Sequence, residues 1–268
     1  MRRMTSVRLM AALCMVSATA FVSAQTAVQY NQDRTAIFGT GNPDTGWTID
    51  SNGQIEVGLR AKNRTTGATD NVNGVYSFAT APSPRGLWNY EFYMNSDVVN
   101  GVVPLDSYDW YLGVDQDSSD GTLLVYVQPL LYWGDDSFGN NSTLNGQGVE
   151  PASFNDYIAF PGMYNVVENS ENITFGDYPG GAMPLLDNAT YDYVIFAVPK
   201  GASPNADPIV SVGITVVVGS GGAAVTAQNH GQYVTDVASQ ADQMLASGQI
   251  TRKEWAQVVS AAARSSGE

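Results

Sequence analysis

Three aspartates, Asp115, Asp117 and Asp120, fall within the run GVDQDSSDGT (113–122), with no basic residue near them. Carboxylates at i, i+2 and i+5 offer hard oxygen ligands of the kind calcium takes. An EF-hand loop is excluded. Ser119 and Asp120 stand where that loop wants Asp or Asn and then Gly, and Tyr126 replaces the closing Glu. Asp, Ser and Gly are also turn formers. A calcium-holding loop and a plain hairpin connection therefore both fit. Asp135 and Asp136, in WGDDSFGNN, form a second and weaker pair.

A second constellation is carboxylate and aromatic. Glu91, Asp109 and Asp192 sit at polar positions of alternating runs, with Tyr93 and Tyr111 beside them in sequence. Lining one concave surface, they would suit a sugar, which stacks on aromatic rings and hydrogen-bonds to acids and amides. A pair of acids could also hydrolyse a glycosidic bond. No E-x-D-x-E-like run sets acids at close alternate spacing on one strand, so a solvated sheet face is the simpler expectation. Other chemistries are poorly supplied. His230 is the only histidine and Cys14 the only cysteine. That excludes a Ser-His-Asp triad within the strand-rich region and a zinc site built on nitrogen or sulfur. Neither a phosphate-binding glycine loop followed by Lys nor a dinucleotide fingerprint is present.

Charge narrows the partners. The chain has 12 Lys and Arg against 26 Asp and Glu, a net charge of −14. Between Arg85 and Lys200 there is no cation at all. Nucleic acid is an unsuitable partner, because phosphate contacts need Lys and Arg. Such a field repels itself unless salt or bound cations screen it.

Positioning these residues is the work of strands. Ile55, Val57 and Leu59 alternate with Glu56, Gly58 and Arg60. The same period of two runs through 88–95, 108–114 and 191–196, with aromatic and β-branched residues on one side. Ser51-Asn52-Gly53, Asn73-Gly74 and Ser203-Pro204 supply turns. The run 209–218 is apolar on both faces and reads as a central strand. The expected fold is mainly β: an antiparallel β-sandwich, jelly-roll-like, over 25–218. After a Gly/Ser linker (219–229) the period changes, and 230–268 reads as a two-helix hairpin. Gly248 sits between its helices, and a capping box at Thr251 and Glu254 opens the second. Residues 1–24 read as a signal peptide: three arginines, an apolar run too short to span a bilayer, then Val22-Ser23-Ala24. The mature chain is expected to be exported to the periplasm or medium, without a membrane span.

The segments VGLRAKNRTTG (57–67), NGVYSFAT (73–80), LWNYEFYMNSD (87–97), YDWYLGVDQD (108–117) and WGDDSFGNNST (133–143) carry a resemblance. Over about 30–218 the chain resembles secreted proteobacterial proteins that often end in a PEP-type sorting tail. That tail is absent here. The C-terminal stretch 229–267 also resembles a small helical module of bacterial secreted proteins. Neither resemblance implies catalytic residues. The expectation is a non-catalytic envelope or matrix protein binding a glycan or an envelope protein. A carboxylate-dependent carbohydrate-active enzyme, or a structural subunit assembling through its C-terminal helices, are the alternatives.

Overall fold

The computed structural model describes residues 27–79, 86–118, 122–131, 135–174 and 189–219. The expected signal peptide, the linker beyond Gly219 and the C-terminal hairpin lie outside the described residues. Within them no helix is long and apolar enough to cross a membrane.

The strands are β1 (Gln29–Gln32), β2 (Trp47–Ser51), β3 (Glu56–Asn63), β4 (Asn71–Val72), β5 (Val75–Phe78), β6 (Trp88–Asn95), β7 (Tyr108–Asp115), β8 (Leu124–Val127), β9 (Ser137–Gly139), β10 (Val166–Glu171), β11 (Ala189–Pro199) and β12 (Val210–Val218). They form two six-stranded sheets, ordered β1-β2-β3-β6-β10-β9 and β4-β5-β12-β11-β7-β8. We call these the first and second sheet. The first is antiparallel throughout. The second corrects the all-antiparallel expectation, because β5 runs parallel to β12. Alternation reveals which face of a strand is apolar but not which neighbour it takes, so a pair this distant in sequence left no local mark.

The alternating runs do what their period requires. Trp88, Tyr90, Phe92 and Met94 face inward from β6, and Trp110, Leu112 and Val114 from β7. Tyr191, Tyr193 and Ile195 join them from β11. Trp88 stacks on Phe78 at 5.9 Å, and Tyr90 on Tyr193 at 4.3 Å. Each large side chain buried this way contributes on the order of 1.5–3 kcal/mol. Strand β12 is indeed interior to its sheet, but it is buried on one face only. Val210, Val212, Ile214, Val216 and Val218 point inward, while Gly213 is exposed.

The β4–β5 hairpin turns on Asn73 (φ 51°) and Gly74 (φ 79°), the backbone an Asn-Gly pair favours. The one α-helix among the described residues, α1 (Phe154–Ala159), is capped by Ser153, whose Oγ accepts from Asp156 N at 3.2 Å.

A second, smaller core lies outside the sandwich. Residues 33–46, which link β1 to β2, fold back over the outward face of the first sheet. Ala36, Ile37 and Phe38 pack there against Trp47, Ile49, Tyr93 and Val166. The 140–148 loop locks this cover segment from the side. Gly146 N donates to Ala36 O at 3.0 Å and Gly148 N to Ile37 O at 2.9 Å.

Candidate functional site

The five residues expected to line one groove do not converge. Glu91 and Tyr93 belong to β6 and face outward from the first sheet. Asp109 and Tyr111 on β7 and Asp192 on β11 face outward from the second. The packed interior of the sandwich separates the two sets, because the inward residues of the same strands fill it. Identical alternation on different sheets conceals this in a sequence.

On the second sheet each residue has a local structural partner. Asp109 pairs with Lys200 Nζ at 2.9 Å and accepts from Gly201 N at 2.7 Å, closing the turn after β11. Tyr111 stacks on Phe196 at 5.3 Å. Asp192 accepts from Thr122 Oγ1 at 2.6 Å and Thr215 Oγ1 at 2.7 Å.

The aspartate run lies between β7 and β8, and its residues 119–121 are outside the described residues. β7 and β8 pair antiparallel on either side of it. Asp115 is fully buried and spends both carboxylate oxygens on backbone amides. Oδ1 accepts from Asp117 N at 2.9 Å and Leu123 N at 2.8 Å, and Oδ2 from Asp192 N at 3.2 Å. Burial raises its pKa although those amides oppose the shift. Asp117 is half-buried beside it, and Asp120 lies outside the described residues. Among the described residues no group of three His, Cys, Asp or Glu side chains is placed to hold a metal ion.

Asp136 is buried, with no cation paired to it among the described residues. Asn169 Nδ2 donates to its Oδ1 at 2.9 Å. Tyr157 Oη lies 2.6 Å from Pro129 O and 2.9 Å from Asp136 Oδ2, and its single proton serves only one of them. Desolvation pushes the Asp136 pKa up to about 7, with Tyr157 and Asn169 opposing. When Asp136 is ionised, Tyr157 donates to it; when Asp136 is protonated, it donates to Tyr157 and leaves the Tyr157 proton for Pro129 O.

The outward face of the first sheet holds what sequence reasoning missed. Glu56, Arg60, Lys62, Glu91 and Glu168 all lie there, and all are buried. Alternation marks them as outward and hence as solvated. The cover segment removes the solvent. Arg60 and Glu91 pair at 2.5 Å with both side chains fully inaccessible. Lys62 Nζ reaches the other Glu91 oxygen at 2.5 Å, and Ser170 Oγ donates to it at 2.8 Å. Arg60 Nη1 donates to the carbonyls of Pro43 at 2.7 Å and Thr45 at 2.8 Å, which fastens the cover.

At one end of this face is a pocket of about 410 Å3. Small-molecule sites commonly span roughly 300–1,000 Å3. Its lining includes Arg34, Thr35 and Ile37 from the cover, Glu56 from β3, Tyr93 and Asn95 from β6, Asn140, Asn141 and Thr143 from the adjoining loop, and Val166 and Glu168 from β10. Arg34 grips Glu56 with two hydrogen bonds of 2.5 and 2.8 Å. Asn95 Nδ2 donates to Tyr93 Oη at 2.9 Å and to Asn141 Oδ1 at 3.0 Å. Glu168 Oε2 accepts from Ile37 N at 2.8 Å. Its Oε1 is buried and has no hydrogen-bond partner among the described residues. Burial raises the Glu168 pKa well above the usual carboxylate range, despite the Ile37 amide and the Arg60 charge. In its neutral form such a carboxyl can both donate and accept.

Tyr93 is thus the one residue of the expected groove that lines the pocket. The detectable signal for the others was scarcity. In a chain so poor in cations, Arg60 and Lys62 at alternate positions of one strand are unusual, and burial with Glu91 explains them. No family model matches the chain, and neither a curated protein nor a solved structure matches it.

Proposed function

We propose that this chain is an exported, non-catalytic binding module that takes a sugar unit of an envelope or matrix glycan into the pocket on the first sheet. The observation that carries the reading is Glu168, which lines this polar pocket and whose buried Oε1 has no hydrogen-bond partner among the described residues. A buried polar atom without a partner costs about 1–3 kcal/mol. Oε1 is closed to solvent, so a ligand hydroxyl recovers that cost where the wall opens to admit it, and an apolar ligand does not. The pocket also offers the Tyr93 ring and amides of Asn95, Asn140 and Asn141, groups suited to a ring with adjacent hydroxyls. A glycan array followed by calorimetric titration tests this. Binding of one glycan class at micromolar strength, weakened at least tenfold by Glu168→Gln, is the expected result. Equal binding by the variant, or no glycan bound at all, removes the proposal.

One observation favours a second reading. Glu56 and Glu168 share the pocket, one paired with Arg34 and the other with its pKa raised by burial. An acid and a base across a sugar are the parts of a glycoside hydrolase. In that case polysaccharide incubated with the protein releases reducing ends, and either Glu56→Gln or Glu168→Gln stops the release.

A further inference from the structure

The cover segment ends in a contact that the binding reading does not use. Lys62 Nζ on β3 donates to Asn42 Oδ1. The same Nζ lies 2.5 Å from Glu91 Oε1. Phe38 closes the site, its ring centroid 5.2 Å from Nζ. Lys62 is nearly buried and Glu91 completely so. Asn42 is held by both ends. Its Nδ2 donates to Phe38 O at 2.8 Å, and its own carbonyl accepts from Asn145 Nδ2 at 2.7 Å. Arg60 clamps the carbonyls of Pro43 and Thr45 just beyond it. An amine, a carboxamide and a carboxylate therefore meet under an aromatic ring, with Lys62 and Glu91 buried and Asn42 half-buried.

We infer that Lys62 and Asn42 join through an intramolecular isopeptide bond, with Glu91 as the proton carrier. The Lys62 ammonium gives one proton to Glu91, and the free amine attacks Asn42 Cγ. A C–N bond forms, and the carbonyl becomes a tetrahedral centre. Glu91 passes its proton to Nδ2, the Cγ–Nδ2 bond breaks, and ammonia leaves. The second Nζ proton departs with it, so the products are a secondary amide and ammonium, and Glu91 is again a carboxylate. Atoms and charge balance without an oxidant or cofactor.

Two features of the site favour the reaction. Fixed geometry converts an unfavourable encounter between amine and amide into an intramolecular step. Before it, Glu91 faces two cations, Arg60 and Lys62. After it, the lysine charge is gone and Arg60 and Glu91 balance each other in the dry interior. The bond closes the loop from 42 to 62 and pins the segment that carries Arg34, Thr35 and Ile37 into the pocket wall. It constrains the unfolded chain as a disulfide would, in a sequence whose only cysteine is Cys14. The inference stands whether or not the pocket binds a glycan.

Peptide mapping of the folded full chain tests it. Complete trypsin cleavage at Arg34, Arg60 and Arg64 is expected to yield peptide 35–60 joined to 61–64, lighter than their sum by one ammonia, about 17 Da, with Lys62 uncut. The location matters more than the mass, since an N-terminal glutamine or an Asn-Gly succinimide also loses ammonia. Asn42→Ala is expected to release both peptides unjoined, with Lys62 cleaved. Glu91→Gln retains both reacting groups and is expected to leave them unjoined. Separate 35–60 and 61–62 peptides from wild-type protein overturn the inference, whatever the variants do. A joined pair persisting in Glu91→Gln overturns the role given to Glu91.

Discussion

The outward face of the first sheet carries Glu56, Arg60, Lys62, Glu91 and Glu168, every one of them buried. The outward face of the second carries Asp109 and Asp192, both partly exposed, Asp115 buried against backbone amides, and a small apolar cluster of Tyr111, Phe196 and Val198. Both faces arise from the same two-residue period. The difference lies in what crosses above them. Residues 33–46 and 140–148 lie over the first sheet, and charges that would have been solvated there are paired instead. Charge on a strand takes its meaning from the loop that covers it. The covered face also holds the pocket, because two loops meeting over a sheet leave a gap where neither fits.

The sharpest way to break the comparison is to remove one charge from each face. Glu91→Ala leaves Arg60 and Lys62 buried without their shared carboxylate, and is expected to cost about 3–5 kcal/mol. Asp109→Ala breaks a pair whose lysine side chain is 60% exposed, and is expected to cost under about 1 kcal/mol. Denaturant titration of both variants checks the contrast. Similar losses would mean that the cover does not set the dielectric.

Asp136 is the opposite case, a buried carboxyl with no paired cation among the described residues. The unfolded chain ionises there near pH 4 and the folded one at about 7. Stability is expected to fall as pH climbs through that window and to level off above it, by on the order of 4 kcal/mol in total. Asp136→Asn is expected to flatten this slope and to stabilise the protein above pH 7. Glu91 and Asp136 thus give opposite signs for the loss of a buried acid, and melting curves from pH 4 to 8 read both.

A smaller effect tests the cover itself. A Cβ at Gly148 would stand 2.8 Å from Ile37 O, backbone that cannot swing aside. Gly148→Ala is expected to cost about 1–3 kcal/mol and to weaken ligand binding by lifting Ile37 from the pocket. Gly41→Ala, on the same segment, would meet nothing within 4 Å, although its φ of 79° strains any side chain. It is expected to lower stability without touching affinity.

Much of the sandwich was legible. Trp88 to Met94, Trp110 to Val114 and Tyr191 to Ile195 announce their inward faces, and Asn73-Gly74 announces its turn. The parallel β5–β12 pair was not legible, because no local pattern encodes a partner more than a hundred residues away. The pocket was legible only through Tyr93. Arg34 and Asn42 lie in a segment whose composition reads as loop, and only its docking against Trp47 and Ile49 brings them over the sheet. Asp109, Tyr111 and Asp192 fit a groove by residue type alone, and their partners Lys200, Phe196 and Thr215 come from other strands and turns.

Calorimetric titration of a bound glycan against three proteins tests the central claim most directly: the wild type, Glu168→Gln on the covered face, and Tyr111→Ala on the open one. We expect the covered-face variant to lose at least tenfold in affinity and the open-face variant to match the wild type. The reverse pattern, with Tyr111 required and Glu168 dispensable, would place binding on the second sheet and contradict the account.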